Sequence, residues 1–296
     1  KIKTAYLVSL SVSIVLALFA IILRSFLLLS QYDEAIGHFL YSSYLDDAFA
    51  ILLLVSAVFL FITSIFMRGS EGIRVEFSDL PTLFSSAFLS IALFVFGIFI
   101  LIDAGIMGKS GFSLFFSAAA SLFSFLSIPY YILRLASASI KKDILTLFSF
   151  APVIFGCALA FLSYFDSSAY MNSPTIVLNQ ISGIMIALFS LGESRVLLSR
   201  IKWPLYTAVG LTAFIVTVSD ALPSLVFIPF SENASYGKII ISFTIFAFSL
   251  YIIARLFSIY ALNSRDAKSL ISFFKEVFKK KLSGHTIFFV FSHKNM

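Results

Sequence analysis

The chain has few charged residues and only one cysteine, and each of these features excludes some classes of protein. Only 12% of its 296 residues are charged, whereas 60% are hydrophobic and the mean hydropathy is +1.02. Soluble domains carry roughly one-quarter charged residues, so a soluble globule could not bury this much apolar surface. The single cysteine, Cys157, excludes a disulfide framework and a cysteine metal site.

The signatures of common enzyme chemistry are also missing. The sequence contains no Walker A loop, no dinucleotide-binding glycine pattern, no HExxH pair and no GxSxG elbow. Its three histidines, His38, His285 and His293, fall in a loop and in the C-terminal tail, where they cannot form an intramembrane metal site. We therefore expect a non-enzymatic protein without a cofactor.

Long apolar runs dominate what is present. Eight stretches are long enough, at roughly 20 residues, to cross a hydrocarbon core as helices. They cover residues 4–29, 48–67, 81–102, 112–134, 144–165, 174–194, 204–222 and 239–261. We predict an all-α, polytopic transmembrane bundle of about eight spans, with helices and no sheet, because backbone polar groups in lipid must be paired internally. The first run is too long for a signal-peptide core, so we expect it to remain as the first helix.

The basic residues are distributed unevenly about these spans. Of the 21 lysines and arginines, 18 lie on one side of the pattern and only Arg24, Lys109 and Lys238 lie on the other. This positive-inside pattern predicts a plasma (cytoplasmic) membrane protein with both termini in the cytoplasm. Because the basic residues sit in short loops, we expect them to attract anionic lipid headgroups at the cytoplasmic face of the bilayer and not nucleic acid.

Residues 1–261 form the predicted transmembrane domain, and residues 262–296 form a basic tail. In the tail, Leu270, Phe274 and Phe278 recur at helical spacing beside Lys275 and Lys279. This pattern predicts an amphipathic helix on the cytoplasmic membrane surface. Two roles stay open for it, a topological anchor and a regulatory or partner-docking helix.

Polar residues within the spans are the candidate functional positions, because they are costly to insert into lipid. They are Arg24, Asn179, Gln180, Glu193, Arg195 and Asp220. Arg24 lies near a span end, where it would extend to the interface or meet Asp33, Asp46 or Asp47.

The other polar positions leave alternatives open. Asn179 and Gln180 would either line a cavity or hydrogen-bond to a neighbouring helix. Glu193 and Arg195 are two residues apart, so they point in different directions and need separate partners. Aspartates at the outer span ends would either form an acidic rim or stand out only because lysine and arginine are scarce there; they are Asp33, Asp103, Asp166 and Asp220.

Small residues on three predicted spans indicate close helix packing. Ser113, Ser117, Ser121 and Ser124 recur at steps of four, four and three on the fourth span. Such a stripe lets another helix approach closely, with neighbours such as Phe116 facing lipid. Gly156 with Ala160, and Gly183 with Ala187, offer similar faces.

Prolines and paired landmarks suggest two further features. Pro129 and Pro152 fall inside the fourth and fifth spans and should kink them. Similar landmarks recur in the two halves of the chain, which would fit a parallel repeat of four spans plus four. The paired arginines near the ends of the fourth and eighth spans, Arg134 and Arg255, are one such landmark.

One stretch of the chain carries a series of proline and polar landmarks: Pro152, Asp166, Asn172-Ser173-Pro174, Gln180, Glu193-Ser194-Arg195 and Pro204. In these residues the stretch resembles a group of uncharacterised multi-helix integral membrane proteins of anaerobic bacteria. The resemblance implies a bacterial inner membrane and no known activity.

Two functions of different class remain open at this stage. The first is a non-enzymatic assembly, sensor or accessory component of the membrane, and the second is a small-solute or ion permease. We prefer the first because neither a discontinuous helix nor a buried charge pair marks a site at the membrane midplane.

Overall fold

The computed structural model describes residues 2–33, 38–39, 44–66, 80–135, 142–165, 173–230 and 235–263. They form helices α1 Ile2–Ser30, α2 Tyr44–Ile65, α3 Leu80–Ile106, α4 Gly111–Leu135, α5 Lys142–Ser149, α6 Ala151–Tyr164, α7 Pro174–Leu197, α8 Trp203–Phe227 and α9 Tyr236–Asn263. Eight spans within them are long and apolar enough to cross a membrane, with α5 and α6 sharing the fifth. The chain is therefore a multi-pass membrane protein, and the predicted all-α polytopic fold is confirmed.

The span boundaries lie within five residues of those predicted. The largest difference is at the end of the seventh span, which continues to Phe227 because Pro223 is accommodated inside α8. The tail predicted for residues 262–296 lies outside the described residues beyond Asn263. We call the side on which α1 begins and α9 ends the terminal side, and the opposite side the distal side.

The two prolines predicted to kink helices have different effects. Pro129 lies inside α4, which is continuous through it. Pro152 lies in the first turn of α6, and the fifth span is divided at Phe150 into α5 and α6. A proline is tolerated in a first turn because its missing N–H would have no helical partner there. The fifth span is thus a discontinuous helix, which the sequence analysis did not predict.

The expectation of no sheet was wrong in one detail. Two strands of two residues each, β1 Tyr32–Asp33 and β2 His38–Phe39, pair antiparallel between α1 and α2. They lie beyond the span ends, where water can satisfy the unpaired strand edges. The rule that excludes open sheets from lipid is therefore respected.

Helix α8 is the centre of the bundle. It packs against α1, α2, α7 and α9, and its span is more deeply buried than the others. Helices α3, α4, α6, α7, α8 and α9 contact one another in that order and close into a ring, while α1 and α2 pack against α8 from outside it.

The helix contacts do not follow the two-fold symmetry of a parallel repeat. In such a repeat, α2 would correspond to α7 and α3 to α8. A contact between α2 and α8 would then require an equivalent contact between α7 and α3. Helices α8 and α2 pack together, but α7 and α3 make no comparable contact among the described residues. The similar landmarks in the two halves therefore do not correspond to repeated packing.

A chain of aromatic rings fills the inside of the helix ring. Consecutive ring centroids lie between 5.1 and 6.2 Å apart, which is the range of favourable edge and stacked contacts. We call it the aromatic seam; from the terminal side inward it comprises Trp203, Tyr206, Phe189, Tyr251, Tyr131, Phe248, Phe155 and Phe96. The seam occupies the interior from the terminal side to the middle of the bundle.

Candidate functional site

A buried carboxylate near the terminal side is the most connected polar group of the bundle interior. Glu193 lies one turn before the end of α7 and only 1% of its surface is exposed. Its Oε1 accepts hydrogen bonds from the Tyr206 hydroxyl and, at 3.3 Å, from Nε of Arg255, which is 0% exposed. A buried charge is tolerated when a counter-charge and hydrogen bonds replace water, and both are present here.

Two further tyrosines complete the arrangement. The hydroxyls of Tyr130 and Tyr251 lie 3.4 Å from Oε2 of Glu193. We call these five residues, contributed by α4, α7, α8 and α9, the Glu193 cluster. Tyr6 of α1 lies beside it, donating to the Leu256 carbonyl at 2.9 Å. One carboxylate thus links four helices, with a fifth alongside.

The sequence identified only part of this cluster. Glu193 was a candidate, and its separation from Arg195 is observed, since Arg195 is exposed. The sequence analysis did not identify the buried charge pair of Glu193 and Arg255, which lies near the terminal side and not at the midplane considered there. Arg255 had been counted among the loop-anchoring basic residues. Its position six residues inside the predicted end of the last span was the signal that could have identified it.

A second buried carboxylate lies near the distal side. Asp220 of α8 is 1% exposed and accepts a hydrogen bond from the Ser182 hydroxyl of α7 at 2.7 Å. With its amide nitrogen turned towards α8, Asn179 donates to both carboxylate oxygens, at 2.9 and 3.1 Å. Asn179 thus binds a neighbouring helix, and both Asn179 and the adjacent Gln180 are partly exposed.

The side chain of Arg24 is buried inside the protein. It is 1% exposed, and its guanidinium carbon lies 5.6 Å from the ring centroid of Phe39 and 5.7 Å from that of Phe49. These are cation–π distances. Asp220 and then Asp46 are the acidic groups that act on it electrostatically. Of the partners considered from sequence, Asp46 is therefore one that acts on Arg24 electrostatically.

Two of the four outer aspartates are too buried to contribute to an exposed acidic rim, whereas Asp33 is partly exposed. Asp220 is buried, and so is Asp103, which pairs with Lys109 at 3.2 Å and accepts from the Gly237 amide at 2.9 Å. A side chain at Gly237 would lie only 2.4 Å from Oδ2 of Asp103, so glycine is required for this approach of α9 to α3. Asp166, the fourth rim candidate, lies outside the described residues.

The serine stripe of α4 lies against α3. All four of its hydroxyl residues are buried, and Ser121 donates to the Gly97 carbonyl at 2.7 Å. Phe116, expected to face lipid, is instead partly buried and stacked on Phe161 at 5.0 Å. The stripe comprises Ser113, Ser117, Ser121 and Ser124.

Metal ligands are not grouped in the part of the chain that the structure describes: no three His, Cys, Asp or Glu residues lie together there. His38 lies in β2, whereas His285 and His293 fall outside the described ranges. Comparison with known proteins found no matching family model, no matching curated protein and no matching solved structure.

Proposed function

We propose that this multi-pass membrane protein is a non-enzymatic component of the bacterial cytoplasmic membrane, acting in assembly, sensing or an accessory role through a fixed helix bundle. The observation that carries the proposal is the Glu193 cluster. One buried carboxylate joins α4, α7, α8 and α9, and separating any of these helices would expose unpaired charge or hydroxyl groups to lipid. Breaking a buried pair costs about 3–5 kcal/mol, which opposes the rocking motions of a transporter.

The aromatic seam supports the same proposal. Near the middle of the third, fifth and eighth spans, Phe155 contacts Phe96 edge to face and stacks on Phe248, with centroids 5.2 and 5.7 Å apart. Permeases hold their substrates near the midplane, usually against unwound backbone or polar side chains. Large apolar rings near the midplane therefore favour a fixed bundle over a substrate pathway of a permease.

The orientation belongs to the same proposal. The positive-inside pattern of the loops places both termini in the cytoplasm, which makes the terminal side cytoplasmic and the distal side external. Anionic lipid headgroups at the cytoplasmic face would then meet the basic loops and tail.

A small-solute or ion permease is the second candidate, and one observation favours it. Asp220, Asn179 and Arg24 lie within the spans at similar depth near the distal side. Ionisable residues inside spans commonly mark substrate or ion pathways.

Cysteine accessibility along the α7 face that meets α8 separates the two candidates. Ser182, Ile186 and Ser190 are buried on α7, between Asp220 and the Glu193 cluster. In a Cys157→Ala background, single cysteines at these positions should resist a small charged methanethiosulfonate reagent in native membrane vesicles and react after SDS denaturation. Ser199→Cys, in an exposed turn, is the reactive control.

A continuous reactive series through all three positions would mean a water-filled path and would favour the permease. A fixed bundle should also conduct no ions after reconstitution. We therefore expect the ion flux of proteoliposomes containing the protein to equal that of empty liposomes.

A further inference from the structure

Arg24 carries hydrogen-bonding capacity that the described residues leave unused. Its guanidinium is 1% exposed, and neither Nε nor Nη2 has a hydrogen-bond partner there. Asp220, the acidic group with the largest electrostatic effect on Arg24, already accepts hydrogen bonds from Ser182 and Asn179 and makes no ion pair with Arg24 within 4 Å. A buried guanidinium with free N–H groups is a strong site for an oxyanion, because its planar fork matches phosphate or carboxylate geometry.

An unused acceptor lies just beyond the distal end of α1. Oε1 of Gln31 is buried and has no hydrogen-bond partner among the described residues. Gln31 follows Arg24 by seven residues, and its N–H donates to the Leu27 carbonyl at 3.1 Å, which continues the helical hydrogen bonding one residue past Ser30. Gln31 therefore lies about two turns from Arg24 on the same side of the chain. Asp46, partly exposed in the first turn of α2, adds a negative charge near Arg24. The Arg24 guanidinium can donate to an oxyanion, whereas the Gln31 oxygen and the Asp46 carboxylate can accept from an ammonium group. Together these groups fit a ligand that carries both an oxyanion and an ammonium group.

An apolar groove follows the same two helix segments. It has a volume of about 440 Å³ and is lined by Phe19, Ile22, Leu23, Phe26, Leu45, Ala48 and Leu52. Leu23 and Phe26 flank Arg24 in sequence, and Ala48 precedes Phe49, whose ring lies against the guanidinium. The groove is open to the lipid side of α1 and α2, and its lining is almost entirely apolar, so it fits an acyl chain.

The depth of Arg24 suits a lipid headgroup. Arg24 precedes Ser30, where the first span ends, by six residues, or about 9 Å at 1.5 Å per residue. The span of 26 residues is about 39 Å long and exceeds a hydrocarbon core of about 30 Å by about 4–5 Å at each end. The Cα atom of Arg24 therefore lies about 4–5 Å below the hydrocarbon boundary. A long arginine side chain can cover such a distance to a lipid phosphate.

We infer that α1 and α2 bind one zwitterionic phospholipid with a primary ammonium, of the phosphatidylethanolamine class, from the distal leaflet. Its phosphate pairs with Arg24, its ammonium meets Gln31 and Asp46, and an acyl chain occupies the groove. A purely anionic lipid fits less well, because Asp220 and Asp46 oppose additional negative charge near Arg24.

Native mass spectrometry of the full-length protein tests this inference. Protein purified in a non-charged detergent is titrated with phosphatidylethanolamine, phosphatidylcholine or phosphatidylglycerol of identical acyl chains. We expect one phosphatidylethanolamine per protein to bind most tightly. Losing a charge-assisted contact with the phosphate should weaken that binding by about tenfold or more in Arg24→Gln. Lys238→Gln, which removes another distal-side cation, should bind the lipid like wild type.

A matched pair of variants tests the groove. Ala48→Trp fills it, whereas Ala50→Trp adds the same side chain at an exposed position of α2 that does not line it. Only Ala48→Trp should reduce lipid binding. Thermal unfolding of each variant without added lipid checks that it is folded.

Two outcomes would overturn the inference. In the first, folded Arg24→Gln and Ala48→Trp retain the bound lipid, which would mean that water alone solvates Arg24. In the second, soluble glycerophosphoethanolamine raises the midpoint of thermal unfolding as much as the lipid does. That result would assign the headgroup contacts to a free zwitterion and remove any role for the groove.

Discussion

At the scale of single residues, the bundle places its ionisable groups in two buried layers. Glu193 lies near the terminal side and Asp220 near the distal side, and each carboxylate accepts hydrogen bonds from another helix. In a low dielectric such bonds are strong, and a missing partner is costly. The two layers therefore hold the helix ends in register, and the aromatic seam fills the interior from the Glu193 layer to the middle of the bundle.

The charge of Glu193 should matter more for stability than its shape. Glu193→Gln is nearly isosteric but deprives buried Arg255 of this counter-charge, so we expect the free energy of unfolding in detergent to fall by about 3 kcal/mol. The fluorescence of Trp203, the only tryptophan, reports the change because its ring lies 5.8 Å from Tyr206.

Asp143→Asn is the matched control for this substitution. Asp143 is an exposed acid in the first turn of α5, and removing its charge should cost less than about 1 kcal/mol. Equal losses in the two variants would show that the Glu193–Arg255 pair adds nothing beyond an ordinary surface charge.

At the scale of helices, small residues set the closest contacts. A side chain at Gly156 would lie 2.6 Å from the Ala187 backbone nitrogen, and one at Gly183 would lie 2.8 Å from that of Ala160. The backbones of α6 and α7 thus meet directly through two reciprocal Gly-Ala pairs. Separate helices in lipid associate largely by such packing, since the apolar driving force between them is weak.

Adding one methyl group at this crossing should push the helices apart. Gly183→Ala should lower the free energy of unfolding by about 1–3 kcal/mol, the usual cost of overpacking. Gly105→Ala in α3 is the control, because its new methyl group would meet nothing within 4 Å. That variant should be neutral or gain up to about 1 kcal/mol from the higher helix propensity of alanine. Equal stability of the two variants, measured by denaturant titration in detergent, would contradict the close crossing.

The serine stripe should behave in the same way. Ser121→Leu removes the hydrogen bond to the Gly97 carbonyl and forces bulk between α3 and α4, so its thermal midpoint in detergent should fall clearly. Ala118→Leu adds bulk on the exposed face of the same helix and should change stability by no more than about 0.5 kcal/mol. If Ser121→Leu is tolerated as well as Ala118→Leu, the stripe does not form a tight interface.

At the scale of the whole molecule, the number of spans is even, so the start of α1 and the end of α9 lie on the same side of the membrane. In a Cys157→Ala background, cysteines at Ser42 or Ser235 should react with an impermeant thiol reagent from outside the cell. Cysteines at Ser70 or Ser139 should not react until the membrane is opened, because the orientation that we propose from the positive-inside pattern has them in the cytoplasm. Labelling with the opposite pattern would reverse the orientation.

Sequence reasoning predicted the spans well and the contacts between them only in part. Span ends follow from local hydrophobicity, and polar residues such as Glu193, Asp220 and Asn179 stand out because lipid excludes them. Their partners depend on which helices become neighbours, and that order cannot be read from spacing. Arg255 and the three tyrosines of the Glu193 cluster were missed for this reason, since an arginine near a span end resembles a topological anchor.

The single cysteine can carry a probe that measures the depth of the bundle in the membrane. Cys157 is exposed on α6, near the middle of the fifth span, and therefore faces the acyl chains and not the packed interior. A small apolar fluorophore attached there would sit close to the centre of the bilayer. Quenching by lipids brominated at known depths would then measure how the bundle is positioned along the membrane normal, with no engineered residue.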